Sequence, residues 1–176
     1  MDEEDWGRRL LLLWDSLDER SEDDFLAAMA ELVSERPADD PVGLFEQGAA
    51  FDSTGHPEQA VEHYRAALDG GLTGLRRRRA VIQLASSLRN LGQAEVSVEL
   101  LTAELDEDFD ELGDELRAFL ALALTSVGRE REAVVLALTA LAPHLTRYNR
   151  SLAAYAQDLA EVNRGLLPPG TAAPAG

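Results

Sequence analysis

The residues with the clearest chemical potential in this chain of 176 residues are three histidines, a run of acids and a run of arginines. His56 and His63 stand seven residues apart on or beside one expected helix, about 10 Å at 1.5 Å per residue, which is too far to share a zinc ion. His144 follows a proline at an expected helix end, and surface or capping roles are expected of all three histidines. The stretch DEDFDELGDELR sets Asp106, Asp108 and Asp110 at alternate positions, in imitation of a calcium loop. It places Glu111 where such a loop needs glycine and Arg117 where it needs a bidentate glutamate, which removes the turn and the strongest ligand. An inter-helix loop whose acids favour the next helix N-terminus accounts for the same residues. Carboxylates abound, but nothing sets two of them in an apolar pocket that would separate their pKa values. No nucleophile motif, phosphate loop or cofactor fingerprint is present. Neither catalysis nor a metal nor a cofactor is expected.

Arg76, Arg77, Arg78 and Arg79 are consecutive near the start of a helix that Thr73 is expected to cap. The macrodipole disfavours cations there by about 0.3 to 1 kcal/mol each, so the run calls for compensation. Two readings are open: pairing with Asp69, Glu46 or Asp52, or one or two side chains turned toward a ligand. At about 100° per residue, Val81, Leu84, Ala85, Leu88 and Leu91 form the apolar side of this helix. Arg79, Gln83, Ser86 and Asn90 fall opposite, flanked by Ile82 and Arg89.

The elements that hold these residues are paired helices. Gly55, Gly92 and Gly128 each end one helix-like stretch and open another, at spacings of 37 and 36 residues. Self-similarity at such a period marks stacked helical hairpins, each completing its neighbour's core. Residues 41–72, 73–109 and 110–145 read as three such repeats, within one domain spanning 1–165. Residues 1–40 read as a helical hairpin or degenerate first repeat, with Trp6, Leu10, Leu13, Trp14 and Leu17 at helical spacing and the tryptophans packed as an end-cap. Ser21 and Asp24 form an approximate capping box for its second helix. Residues 146–165 supply a capping helix with Leu152, Tyr155, Ala156 and Leu159 on one side, and residues 166–176 a disordered tail.

Aligned, the units resemble the tetratricopeptide repeat. Gly48, Phe51, Gly55, Ala60, Tyr64 and Ala67 carry the whole pattern in the first unit. Ala85, Leu88, Gly92 and Leu101 carry part of it in the second, where Ser97 and Glu104 replace small residues. Ala121, Leu124, Gly128, Ala133, Ala137 and Ala140 carry it in the third, without the aromatic. The stretch RRRRAVIQLASSLRNLG is also similar to one in short bacterial proteins of this class. The resemblance implies an all-α fold, a right-handed α-α superhelix of about three hairpins with a further hairpin before and a capping helix after. It implies non-catalytic binding of a partner's peptide or helix in the concave groove, with Phe45, Arg79, Gln83, Ser86, Arg89, Asn90, Phe119 and Leu122 as the lining. An ordinary solvated face predicts the same polar residues. The lysine and asparagine clamp with which some members hold a C-terminal carboxylate is not matched at Phe45, Ala49, Gln83, Glu115 and Phe119. The helix from Leu116 to Val127 is apolar nearly all round and needs a cover over Phe119 and Leu122. The C-terminal helix, a partner peptide or a second copy would each provide one, the last making the chain a self-associating homodimer.

Composition narrows the partners. The net charge of −17 argues against nucleic acid and anionic membranes. Residues 1–40 hold fourteen acids against four arginines, and no lysine occurs anywhere. No cysteine is present, the acidic N-terminus is the reverse of a secretory signal's basic start, and no apolar run is long enough to span a bilayer. A soluble, cytoplasmic protein is expected.

Overall fold

A computed structural model describes residues 2–107 and 111–166, with side chains as far as 161. Every regular element among them is helical: α1 (Glu3–Asp15), α2 (Glu22–Val33), α3 (Pro41–Ser53), α4 (Pro57–Asp69), α5 (Gly74–Asn90), α6 (Ala94–Leu105), α7 (Gly113–Ser126), α8 (Glu130–Leu141) and α9 (Asn149–Leu166). The all-α expectation is met. The chain divides into two compact units, Met1–Glu104 and Leu105–Gly176. Asp108, Asp110 and the tail from residue 167 lie outside the described residues.

The three glycines do the same job three times. Gly55, Gly92 and Gly128 have φ of 85°, 79° and 72°, a region that costs any side chain about 1–2 kcal/mol. Each lets the next residue's N–H reach back across the helix end. His56 donates to the Phe51 carbonyl, Gln93 to that of Leu88 and Arg129 to that of Leu124, all at 2.9 Å. These bonds satisfy carbonyls that the helix end leaves without partners.

In the first unit α3 lies along α4, α4 along α5, and α2 against α3. A core of Phe45, Ala49, Ala60, Tyr64, Ala67, Ala80, Leu84 and Leu88 runs through α3, α4 and α5. Within it Gly48 lies tight against α4, since a Cβ there would be 2.9 and 3.0 Å from the Tyr64 ring. Ser97 and Glu104 stand at the α6 positions where α4 has Ala60 and Ala67, and both are buried. Ser97 is small enough for the site; Glu104 is accommodated by arginines described below.

A second core of Trp6, Leu10, Leu13, Phe25, Met29 and Leu32 fills the N-terminal hairpin and takes in Ala50 of α3. Trp6 is buried and donates its Nε1–H to the Leu32 carbonyl at 3.0 Å. Trp14 packs 5.3 Å from Phe25 and donates to Glu46 Oε2 at 3.0 Å, tying α1 to α3. The join between α1 and α2 is a short 3-10 turn, Leu17–Glu19, ending at Arg20 with φ −109°, so it lacks the left-handed glycine of the other turns. Ser21 caps α2 by accepting from Asp24 N–H at 3.2 Å. Its hydroxyl donates to the Asp24 carboxylate at 2.7 Å, which closes the box through side chains instead of through the Ser21 amide. The acid excess of this region has a structural use. Glu3, Glu4 and Asp5 fill the first turn of α1, and Glu22, Asp23 and Asp24 that of α2, where the dipole favours them. Arg36 joins the pieces: it lies 4.5 Å over the Trp6 ring and binds Asp40 at 2.6 Å and Glu3 at 3.0 Å.

In the second unit α7 packs on α8, and α9 on α8 and the 3-10 turn Ala142–His144. Leu116, Leu120, Ala121, Ala123 and Leu124 bury the inner side of α7, and Ala133 and Ala140 that of α8. On α9, Ala156 is buried, but Tyr155, expected on the same inner stripe, is 68% exposed.

Three glycine-to-alanine substitutions should separate these causes in urea unfolding. Gly48→Ala should destabilise by about 1–3 kcal/mol through the Tyr64 contact, and Tyr64→Leu in the same chain should recover part of that loss. Gly92→Ala, with open space around it but φ 79°, should lose about 1–2 kcal/mol through the backbone alone. Gly7→Ala, inside α1 with nothing within 4 Å, should gain about 0.5–1 kcal/mol. A gain at Gly48 would contradict the packing.

Candidate functional site

The polar side of α5 is built on a helix whose register is locked from beneath. Leu84 and Leu88 enter the α3–α4 core. Ser87 is also buried, and its hydroxyl donates to Asp52 Oδ1 of α3 at 2.8 Å. Asp52 receives a second, longer bond from the Tyr64 hydroxyl at 3.4 Å. Burial pushes the Asp52 carboxyl above its ordinary value, and the Ser87 and Tyr64 donors offset this only in part. Burial, with the Asp52 charge beside it, likewise pushes the Tyr64 phenol far up.

The arginine run is resolved residue by residue. Arg76 reaches Glu46, which is 3% exposed, at 3.5 Å. Arg77 contacts both oxygens of Glu104 at 2.7 and 2.8 Å. Arg78 is buried and bonds the Glu104 carbonyl at 2.8 Å and its carboxylate at 3.1 Å. Arg79 is exposed and lies 5.1 Å over the Phe45 ring. Of the three acids expected to pair with the run, Glu46 does so, while Asp69 is exposed and makes no ion pair with it among the described residues. Asp52 accepts from Ser87 and Tyr64 instead, and Glu104 was not foreseen. Thr73 occupies the capping position of α5, but its side chain makes no capping bond, contrary to expectation.

The remaining site residues fall as follows. Gln83, Ser86 and Arg89 are partly exposed and Asn90 is exposed. Arg89 donates to Asn90 Oδ1 at 3.0 Å. Gln83 Oε1 and Arg89 Nε are shielded from water and have no hydrogen-bond partner among the described residues. Arg79, Gln83, Ser86 and Asn90 follow one another at intervals of four, three and four, and so share a face about 16 Å long. Ile82, expected at the edge of that face, is buried. Phe45 is corrected: its ring is 0% exposed, because Tyr64 lies beside it and Arg79 covers it. It supports Arg79 and offers no apolar surface of its own.

Phe119 and Leu122 belong to the second unit. Phe119 is partly exposed and Leu122 is 48% exposed. The expectation that α9 covers Leu122 is therefore corrected; α9 lies on α8 and the turn after it. A cleft of about 430 Å³ opens there, lined by Thr139, Pro143, Asn149, Arg150, Ala153 and Gln157 among others. None of these is a carboxylate or an activated nucleophile. A smaller one of about 240 Å³ holds Asp114, which binds Arg117 at 2.9 Å and His144 at 3.0 Å.

His56 pairs with Glu22, and His63 bonds the Gln59 carbonyl at 2.8 Å. Among the described residues no three His, Asp or Glu side chains gather as a metal site, and no helix is long and apolar enough to cross a membrane.

Helix pairs joined by left-handed glycine turns, the first of them closed by Gly48 against the Tyr64 ring, define a helical-repeat scaffold. The family model of the tetratrico peptide repeat matches residues 41–159, and the chain belongs to that family, whose members generally mediate protein–protein interaction. No curated protein and no solved structure matches it.

Two carboxylates should respond to pH with opposite sign. Burial opposes the charge on Asp40, but the Arg36 guanidinium and the Gly43 and Val42 amides outweigh it and hold the carboxyl below its ordinary value. A lowered native pKa gives stability that is present above the unfolded value of about 3.9 and is lost as pH falls through the native one. The raised Asp52 gives the reverse, with stability lost as pH rises through its native pKa. In urea titrations from about pH 3 to about pH 7, wild type should gain on Asp40→Asn and lose ground to Asp52→Asn as pH rises. Parallel curves for both variants would refute the assignment.

Proposed function

We propose that this chain is a non-catalytic binding module that captures a segment of a partner protein along the polar side of α5. The observation that carries this reading is the state of that face. Arg79 and Asn90 are accessible and Ser86 partly so, while Gln83 Oε1 and Arg89 Nε beside them have no hydrogen-bond partner among the described residues. A buried polar atom left in this way costs about 1–3 kcal/mol, and a side-chain rotation onto a partner's backbone would recover it. A face of about 16 Å matches roughly five residues of extended chain at 3.3 Å each. Arg79, Gln83, Ser86, Arg89 and Asn90 are the residues assigned to it, on a core that fixes the helix beneath. Leu122 is the one large apolar side chain of α7 that is exposed, with Phe119 only partly so, and this does not by itself support the self-associating alternative.

The absence of cysteine makes this directly testable. Ser86→Cys or Asn90→Cys, carrying a thiol-linked photo-crosslinker, should trap a discrete partner from native lysate. The same label on Glu62→Cys, an exposed position of α4, should trap it several-fold less. Equal yields at the three positions would remove α5 as the binding face.

A further inference from the structure

Resting on that reading, we infer that the segment captured at α5 is acidic, an Asp- or Glu-bearing stretch of the partner whose carboxylates meet Arg79 and Arg76. The argument is one of charge and depth. The arginine run brings four guanidiniums together in the first turns of α5, and two carboxylates pair with it, Glu46 and Glu104. Glu46 and Glu104 are 3% and 4% exposed, so these two charges offset two of the four arginines from within the protein. Asp52 is partly buried, with its oxygens accepting from Ser87 and Tyr64 and burial disfavouring its charge. The charged side chains that α5 itself presents are therefore all positive. Arg79 is exposed, and the Arg76 side chain is 45% exposed. These two are three residues apart and share a face. On a chain of net charge −17, a patch of this sign attracts an oppositely charged segment over about a Debye length.

Arg79 is also prepared for carboxylates. Among the described residues it makes no ion pair; its guanidinium rests on the Phe45 ring at 5.1 Å. Contact with the ring face leaves the N–H edge of the plane for a carboxylate, which it can grip with two parallel bonds. Ser86, Gln83 and Asn90 continue along the same helix with neutral hydrogen-bonding groups suited to a peptide backbone. The acids of the visitor are expected at the Arg76–Arg79 end and its uncharged residues toward Asn90.

The test uses the full-length protein and three fluorescent peptides of about a dozen residues on one Ala/Ser/Leu frame, bearing several Glu, Gln or Lys. Binding is read by anisotropy, and the folding of each variant by its thermal melt. The Glu peptide should bind tightest and weaken several-fold between about 50 and about 300 mM salt. Arg79→Glu should cost it about tenfold or more, with Arg79→Lys intermediate because the fork is lost. Gln or Lys peptides that bind as well as Glu, or a Glu peptide indifferent to Arg79→Glu in a folded protein, would overturn the inference. So would tighter binding of a single-stranded oligonucleotide, or a dimer that Arg79→Glu dissolves, since the patch would then serve nucleic acid or the acidic N-terminus of a second copy. The two readings fail differently. A Gln peptide whose binding depends on Ser86 and Asn90 but not on Arg79 keeps α5 as the binding face and discards the charge preference. Glu-peptide binding that depends on Arg79 alone, with Ser86 and Asn90 indifferent, discards the face.

Discussion

The closure of each helical hairpin is the constraint on which the rest depends. Two helices can lie this close only where one contributes almost no side chain, as Gly48 does against the Tyr64 ring. They can reverse direction within a few residues only where the backbone enters the left-handed region, as at Gly55, Gly92 and Gly128. Given those conditions, Ala60, Ala67 and Ala80 complete a dry interface around Phe45 and Leu84. The helix α5 is then held so firmly on its inner side that its outer side is free to be polar.

The same logic explains why so many charges coexist in so small a fold. Acids gather at the starts of α1 and α2, where the helix dipole welcomes them. Arginines gather at the start of α5, where it does not, and the fold answers with carboxylates buried beneath them. Glu104 takes a position that α4 fills with Ala67, and two guanidiniums make its burial tolerable. Removing one member of such a buried pair typically costs about 3–5 kcal/mol, so the arrangement fixes where α6 sits against α5. What remains over, at Arg79, is a cation resting on an aromatic ring and facing outward.

The fold was legible because its signals are local. A glycine at a repeated interval reports positive φ, and the stripe Val81, Leu84, Ala85 and Leu88 reports which side of α5 is buried. The site was legible only in outline. Its polar face follows from helical spacing, and Glu46 was within reach as a partner of the arginine run. Glu104 was not, because it lies 26 residues from Arg78 on another helix, and nothing local marks the two as neighbours. Ser87 carried a usable sign, a polar residue inside an apolar stripe, which calls for a buried acceptor such as Asp52. Phe45 misled because register alone gives its direction and not its cover. Leu122 misled in the opposite sense: an all-apolar helix implies burial, yet α9 packs elsewhere and leaves it 48% exposed.

The most direct test of the account is to watch the arginine side chains while the partner binds. Nitrogen-15 spectra resolve guanidinium Nε–H signals, and a partner segment recovered by crosslinking can be titrated against the labelled full-length chain. Arg79 and Arg89 should shift and saturate together, while Arg8 and Arg129, which pair with Asp5 and Glu132 elsewhere on the surface, should stay in place. Saturable shifts at Arg8 or Arg129 with Arg79 and Arg89 unmoved would contradict the assignment of α5 as the binding face.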